Sequence, residues 1–395
     1  MSTVRWLVFI GLAVAVAWTI GIAGRRYVRG LSLVIRGGDL QGFVRSLVEM
    51  NTVPIGERLV TIPLQPGSVR ARVYSPTSAA RQTVLLVSGL HPAGIDEPRL
   101  VALSRELAKS AVTVVTPEIE ELGRFEITPL LTDRIEQAAY WLAARSGLAG
   151  AGRIGLMGVS FSGGLSVVAA GRASLRDRLS YVFSFGGHDD LRRVLEYFCA
   201  GLDTQTVEGS PRQPGIEAIK RPPHDYGVAV VLLNIAEHVV PADQAPALRD
   251  GVRRFLWASY LERIDKPRAE AEFAALRALA HTLPDPSSTL LEYVNNRDVR
   301  HLGPRLLPHI GPYVDRPELS PSLSPGPSVP VFLLHGRDDN VVPAAESQHL
   351  AGRLRDRVRV HLLLTDLISH AEADQPAHVI DVLRLGRFWG DLLAQ

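Results

Sequence analysis

Apolar residues are unevenly spread along the chain. From Trp6 to Gly24, 19 consecutive positions carry no charge. At about 1.5 Å per residue, a helical run of that length spans roughly 28 Å, close to the hydrocarbon core of a bilayer. Arg5 precedes the run, and Arg25, Arg26 and Arg29 follow it. The run exceeds the usual apolar core of a secretory leader, and two arginines stand directly behind it. It therefore predicts an uncleaved single-pass anchor over residues 1–30. The small residues Gly21 and Ala23 keep a cleaved signal peptide open as the other reading. The arginine excess behind the run points, by a narrow margin, to a cytoplasmic C-terminal domain, with an extracytoplasmic domain as the alternative.

Past the anchor the pattern shortens. Leu40, Phe43, Leu47 and Val48 share one side of a short amphipathic helix over Asp39–Met50. Two strand-like segments, Arg58–Pro63 and Val69–Tyr74, flank the turn Gln65-Pro66-Gly67-Ser68. Alternation of strand and helix then sets in. Strands are expected at Thr83–Val87, Val112–Val115, Arg153–Met157 and Leu179–Phe185. Helices are expected at Glu97–Ser110, Leu131–Ala144 and Phe161–Ala170. Continuous β-branched runs alternating with helices predict a mostly parallel sheet covered on both faces. The alternation stops over 191–325, which reads as helical and irregular and ends in the semi-rigid stretch Pro321–Pro327. It resumes with strand Val329–Leu334, helix Ala344–Arg355, strand Val358–Leu364 and a last helix near Pro376–Leu393. The expected organisation is an anchor (1–30), a first α/β part (31–190), a helical insertion (191–325) and a second α/β part (326–395).

Composition narrows the possibilities. The chain has 395 residues, of which 46% are hydrophobic, 43 are basic and 41 acidic. A net charge of +2 makes no case for nucleic acid. The single cysteine, Cys199, excludes an intramolecular disulfide framework and a Cys-rich zinc site. Flanked by Phe198 and Ala200, it reads as a packed side chain. His301 and His309, eight apart, do not match tight metal-ligand spacing. No phosphate-binding glycine motif occurs, so no cofactor is indicated.

The chemistry gathers at three points. The strand Arg153–Met157 runs into Gly158-Val159-Ser160-Phe161-Ser162-Gly163-Gly164, ahead of a helix. A serine at the apex of a strand–turn–helix projects its Oγ above the sheet, and close backbones there demand small neighbours. Gly158 meets that demand. On the other side Ser162 stands where glycine is usual, and Ser162 itself is the second candidate nucleophile. After the resumed strand comes His335-Gly336-Arg337-Asp338-Asp339-Asn340-Val341-Val342-Pro343. His370 follows the next strand. Serine, acid and histidine in this chain order provide a nucleophile (Ser160), a charge-stabilising acid (Asp339) and a proton carrier (His370).

With these motifs the chain resembles the α/β-hydrolase superfamily over about 31–190 and 326–395, with the insertion as a helical cap. The H-G-x-x-D-x-x-V-P pattern, His335 to Pro343 here, implies Asp339 as the triad acid. Asp338 reads as a solvated turn residue. The resemblance also implies an oxyanion hole of two backbone N–H groups, from Phe161 and, in the loop Ser88-Gly89-Leu90-His91-Pro92, from Leu90. His91 is the second choice, or lines the pocket, or caps a turn. The H-G-G-G signature of one lipase branch is absent. Asp189 or Asp190 offers a second position for the acid, against Asp190 as the cap of a helix starting at Leu191. His224-Asp225-Tyr226 reads as a turn or a substrate contact.

The expected function is a membrane-anchored serine hydrolase cleaving small-molecule or lipid-like carboxylic esters through an acyl-enzyme. The alternatives are a peptidase or acyltransferase using the same triad, or a non-catalytic membrane-tethered binding protein on a hydrolase fold.

Overall fold

The β-branched runs pair into one eight-stranded sheet in a computed structural model that describes residues 21, 24–38, 52–144, 147–150, 152–200, 222–368 and 379–395. The strands are β1 (Ile55–Pro63), β2 (Ser68–Pro76), β3 (Gln82–Val87), β4 (Val112–Pro117), β5 (Ile154–Val159), β6 (Leu179–Phe185), β7 (Val331–Gly336) and β8 (Val360–Thr365). Their order is β1-β2-β4-β3-β5-β6-β7-β8. β2 pairs antiparallel with β1 and β4, and every pairing from β4 to β8 is parallel. The apolar run Trp6–Gly24, apart from Gly21 and Gly24, lies outside the described residues, as does the expected helix Asp39–Met50. Among the described residues no helix is long and apolar enough to cross a membrane.

Alternate side chains of a strand point to opposite faces, and here both faces are buried. Leu85, Val87, Leu156, Val182, Val331 and Leu333 enter one core, with the helices Leu130–Ala144, Phe161–Ala170 and Ala344–Leu354. Val84, Leu86, Met157, Phe183, Phe332 and Leu334 enter the other, with the helices Pro98–Lys109 and Val379–Leu392. Two-sided burial is why these strands read as continuous apolar runs rather than alternating ones.

A helix over 24–37 joins the second core through Leu33 and Val34. It lies antiparallel to Val379–Leu392 at glycine contacts: a Cβ on Gly30 would collide with the backbone of Gly386 and Gly390. Arg36, buried at the far end, holds Glu106 at 2.6 Å. Backbone against backbone leaves no side chain free to give way. Gly30→Val is therefore expected to cost about 3 kcal/mol, the upper part of the usual overpacking range. A lowered urea midpoint at unchanged slope checks it.

Between β6 and β7 the chain builds the helices Leu191–Cys199, Asp225–Val239, Ala245–Ile264, Lys266–Ala280, Ser287–Asn295 and Val299–Leu306. Cys199 is buried among them, and desolvation pushes its thiol up to about 12. Asp190 caps the first helix, as expected, accepting from Arg192 N at 2.9 Å. The stretch expected to be a semi-rigid linker, Pro321–Pro327, is packed at its start and open further on: Ser320 and Pro321 are buried, and Leu323 is exposed. Leu191 N donates to Ser320 Oγ at 3.0 Å, and Ser322 N to Asp189 O at 2.8 Å. Serine hydroxyls and spare backbone groups satisfy the entry of the segment, which the proline and serine composition alone does not announce.

Candidate active site

The turn after β5 is built on strain and small residues. Ser160 has φ 54° and ψ −131°, a conformation that costs a non-glycine residue about 1–3 kcal/mol. Its N–H donates to Phe185 O at 2.6 Å, and its carbonyl accepts from Gly163 N at 2.8 Å. The next residue, Phe161, opens the helix, where the first N–H groups have no intrahelical acceptor. Gly158 cannot carry a side chain: a Cβ there would lie 2.6 Å from the carbonyl carbon of Ser162 and 2.5 Å from Ser166 Oγ. Gly163 and Gly164 take the approaches of Ser184 and His188. Smallness is thus supplied by Gly158 and by the glycines one and two places past Ser162. Ser162 itself is fully buried, and its Oγ has no partner among the described residues. Ser160 is partly exposed.

The loop after β3 runs against this apex. A Cβ on Gly89 would stand 3.3 Å from Ser160 Cβ and 3.9 Å from its Oγ. Leu90, the residue expected to supply an oxyanion donor, follows directly in the same loop. His91 Nδ1 accepts from Ala93 N at 3.2 Å, which is the turn-capping role, and its ring meets Tyr260 edge-on at 4.7 Å. Burial lowers His91 to about 4, with Glu97 opposing and Arg99 and Arg263 adding to the shift. The unfolded chain takes up that proton near 6.5, and the folded chain only near 4. Stability is therefore expected to fall as pH drops through this window, the unfolded state holding the extra proton. Buried His188, lowered by desolvation in the same direction, shares the slope. Melting temperatures against pH check it, with a shallower fall expected for His91→Asn.

Asp339 follows β7, two strands from Ser160. It is buried, and its Oδ1 accepts from Val341 N at 2.8 Å and Val342 N at 2.9 Å. Its Oδ2 lies 3.4 Å from His335 Nε2, and a Cβ on Gly186 would come within 3.6 Å of it. Phe185, whose carbonyl binds Ser160 N, and Gly186, which faces Asp339, are adjacent, so the end of β6 bridges the two loops. His335 is buried, with Nδ1 2.7 Å from Ser347 Oγ and Nε2 2.8 Å from Val342 O. Asp338 is exposed. Asp189 is occupied by Arg353 at 2.8 Å and Arg193 at 3.2 Å, within a buried network around Glu346. His370 lies outside the described residues, two positions past Ile368.

Groups from the helices between β6 and β7 reach the loops around the site, among them His224 and Tyr226 of the segment read from sequence as a turn or a substrate contact. Tyr226 Oη donates to Leu90 O at 2.6 Å. His224 N and Tyr197 Oη donate to Asn340 O, beside Asp339, at 2.9 and 3.3 Å. His224 Nδ1 caps its own helix, accepting from Tyr226 N at 3.1 Å. Only the serine-bearing turn and the acid-bearing loop announce themselves as motifs; these tyrosines carry no local signature.

No protein-family model and no curated protein matches the chain. Solved structures do. An esterase from Pyrobaculum calidifontis is 19% identical, covers 89% of this chain and 87% of its own, and superposes with a TM-score of 0.44. A thermophilic carboxylesterase cloned from a metagenomic library is 18% identical over 89% of this chain and 91% of its own, with a TM-score of 0.42. Pyrococcus horikoshii acylaminoacyl peptidase is 13% identical, with a TM-score of 0.44; the match covers 82% of this chain and 39% of the peptidase.

Proposed function

We propose that the chain is a membrane-anchored serine hydrolase that cleaves carboxylic esters, on an α/β-hydrolase fold that the order and pairing of its sheet support. The observation that carries this reading is Ser160, a non-glycine residue at φ 54° on the apex of the turn after β5, with Gly89 pressed against it. A nucleophile held clear of the sheet on a tight strand–helix turn accounts for that strain.

In this reading Ser160 Oγ attacks the ester carbonyl while His370 takes the hydroxyl proton. Asp339 is suited to steady the imidazolium, because it is buried and its orientation is fixed by the two amides on Oδ1. Parallel strands bring the ends of β5, β7 and β8 to one edge of the sheet, the usual place for a site in such folds. Ser160 and Asp339 follow strands two spacings apart, roughly 10 Å, a gap suited to an imidazole. The N–H groups of Phe161 and Leu90 receive the oxyanion. Collapse expels the alcohol with the proton from His370, and water repeats the sequence on the acyl-enzyme. The helices between β6 and β7 act as a cap over the acyl pocket, with Trp257 and Tyr260, rings 5.4 Å apart, beside His91. The apolar run Trp6–Gly24 holds the enzyme at a membrane, where amphiphilic esters concentrate.

Fluorophosphonate labelling of the detergent-solubilised chain tests the reading. Labelling is expected in the wild type and in Ser162→Ala, and its absence in Ser160→Ala. No labelling of the wild type argues for a binding protein instead. A topology reporter fused to the C-terminus tests the anchor separately.

A further inference from the structure

The helices between β6 and β7 grip two consecutive residues of the loop after β3. Tyr226, at the start of the helix Asp225–Val239, donates from Oη to Leu90 O at 2.6 Å. Its ring packs edge-on against Phe125 at 5.9 Å. Burial raises its phenol, so the hydroxyl keeps the proton it donates. Tyr260, on the next helix, holds the His91 ring at 4.7 Å. On the other side of Leu90, Gly89 is seated against Ser160 and Val159 O. With its carbonyl tied on one side and its preceding glycine wedged on the other, Leu90 is flanked by two held peptide units.

We propose that Tyr226 is a positioning residue for the oxyanion hole: docked on Leu90 O, its hydroxyl fixes the Leu90–His91 peptide and so holds the loop in the conformation that presents the Leu90 N–H to the carbonyl oxygen of the ester. Docking of the helical segment and completion of the hole are then one event. The same segment also reaches Asn340 beside the acid, through His224 and Tyr197. The assignment rests on the hydrolase reading above. Its physical basis is that an oxyanion donor acts only if it is preorganised, and that its misplacement is felt in the transition state more than in the bound substrate.

The test uses the full chain in detergent, p-nitrophenyl butyrate as substrate and an aryl trifluoromethyl ketone as the oxyanion-forming inhibitor. Tyr226→Phe removes one oxygen and keeps the ring. It is expected to lower kcat about 10–100-fold, somewhat less than deleting a donor outright, with KM little changed. The ketone is expected to bind more weakly by the same factor, at a nearly unchanged melting temperature. Unchanged kcat and ketone affinity, or a loss confined to KM, overturns the proposal. If Tyr226→Phe does not fold, Tyr260→Leu cuts the second tie to the loop. The same paired loss supports the proposal, and unchanged values overturn it. A wild type that is neither labelled nor active removes the hydrolase reading and this assignment together; an active wild type beside an indifferent Tyr226→Phe removes this assignment alone.

Discussion

Ser160→Ala is expected to abolish ester hydrolysis, lowering kcat by roughly 10⁵–10⁶-fold, the size seen when a triad nucleophile is removed. The fold should survive, because the turn is anchored by the N–H and carbonyl of Ser160, in the contacts to Phe185 and Gly163, which alanine keeps. Alanine at φ 54° bears the same strain as serine. Glycine does not, so Ser160→Gly should be equally inactive yet more stable by about 1 kcal/mol. Steady-state rates on p-nitrophenyl esters, with urea denaturation of the three proteins, check the pair of effects. Residual activity in Ser160→Ala at more than a few per cent of wild type moves the nucleophile elsewhere.

Asp339→Asn is expected to lower kcat by about 10⁴-fold with little change in stability. Asparagine keeps an oxygen for the amides of Val341 and Val342 and loses only the charge that would stabilise an imidazolium. Asp339→Ala removes that acceptor as well. It leaves two buried N–H groups without it, at about 1–3 kcal/mol each, so it should be both inactive and less stable. Asp338→Asn, on the exposed neighbour, should behave as wild type. If Asp339→Asn retains wild-type kcat, the acid of the triad lies elsewhere.

Much of the fold was legible because two-sided burial leaves a strong trace. Strands β3 to β7 and the helix Phe161–Ala170 are written as runs dominated by apolar residues, broken only by small or neutral polar ones such as Thr113 and Ser184. Ser160 and Asp339 were legible for a different reason: each sits in a local motif whose spacing is set by one turn. The contacts of the tyrosines around the site were not legible. Tyr226 reaches Leu90 across 136 positions of chain, and nothing near either residue encodes that meeting. The packed stretch around Ser320 escaped for a similar cause. Proline and serine read as a spacer until the buried N–H of Leu191 and the carbonyl of Asp189 are there to be satisfied. The helix over 24–37 was hidden by its arginines, which mark the end of an apolar run but say nothing of Gly30 meeting Gly386.

The excursion between β6 and β7 leaves and returns at one place. His188 Nε2 meets Leu319 O at 2.8 Å, and Asp190 Oδ2 accepts from Ser322 Oγ at 3.1 Å. The base of the excursion is thus a clasp, and the core keeps its shape whatever length of chain the clasp encloses. Loop-closure entropy grows only as the logarithm of that length, about 0.6 kcal/mol per doubling. A lineage carrying this clasp can lengthen or shorten the far side of the excursion at little cost to the sheet, provided the helices that reach Leu90 and Asn340 are kept.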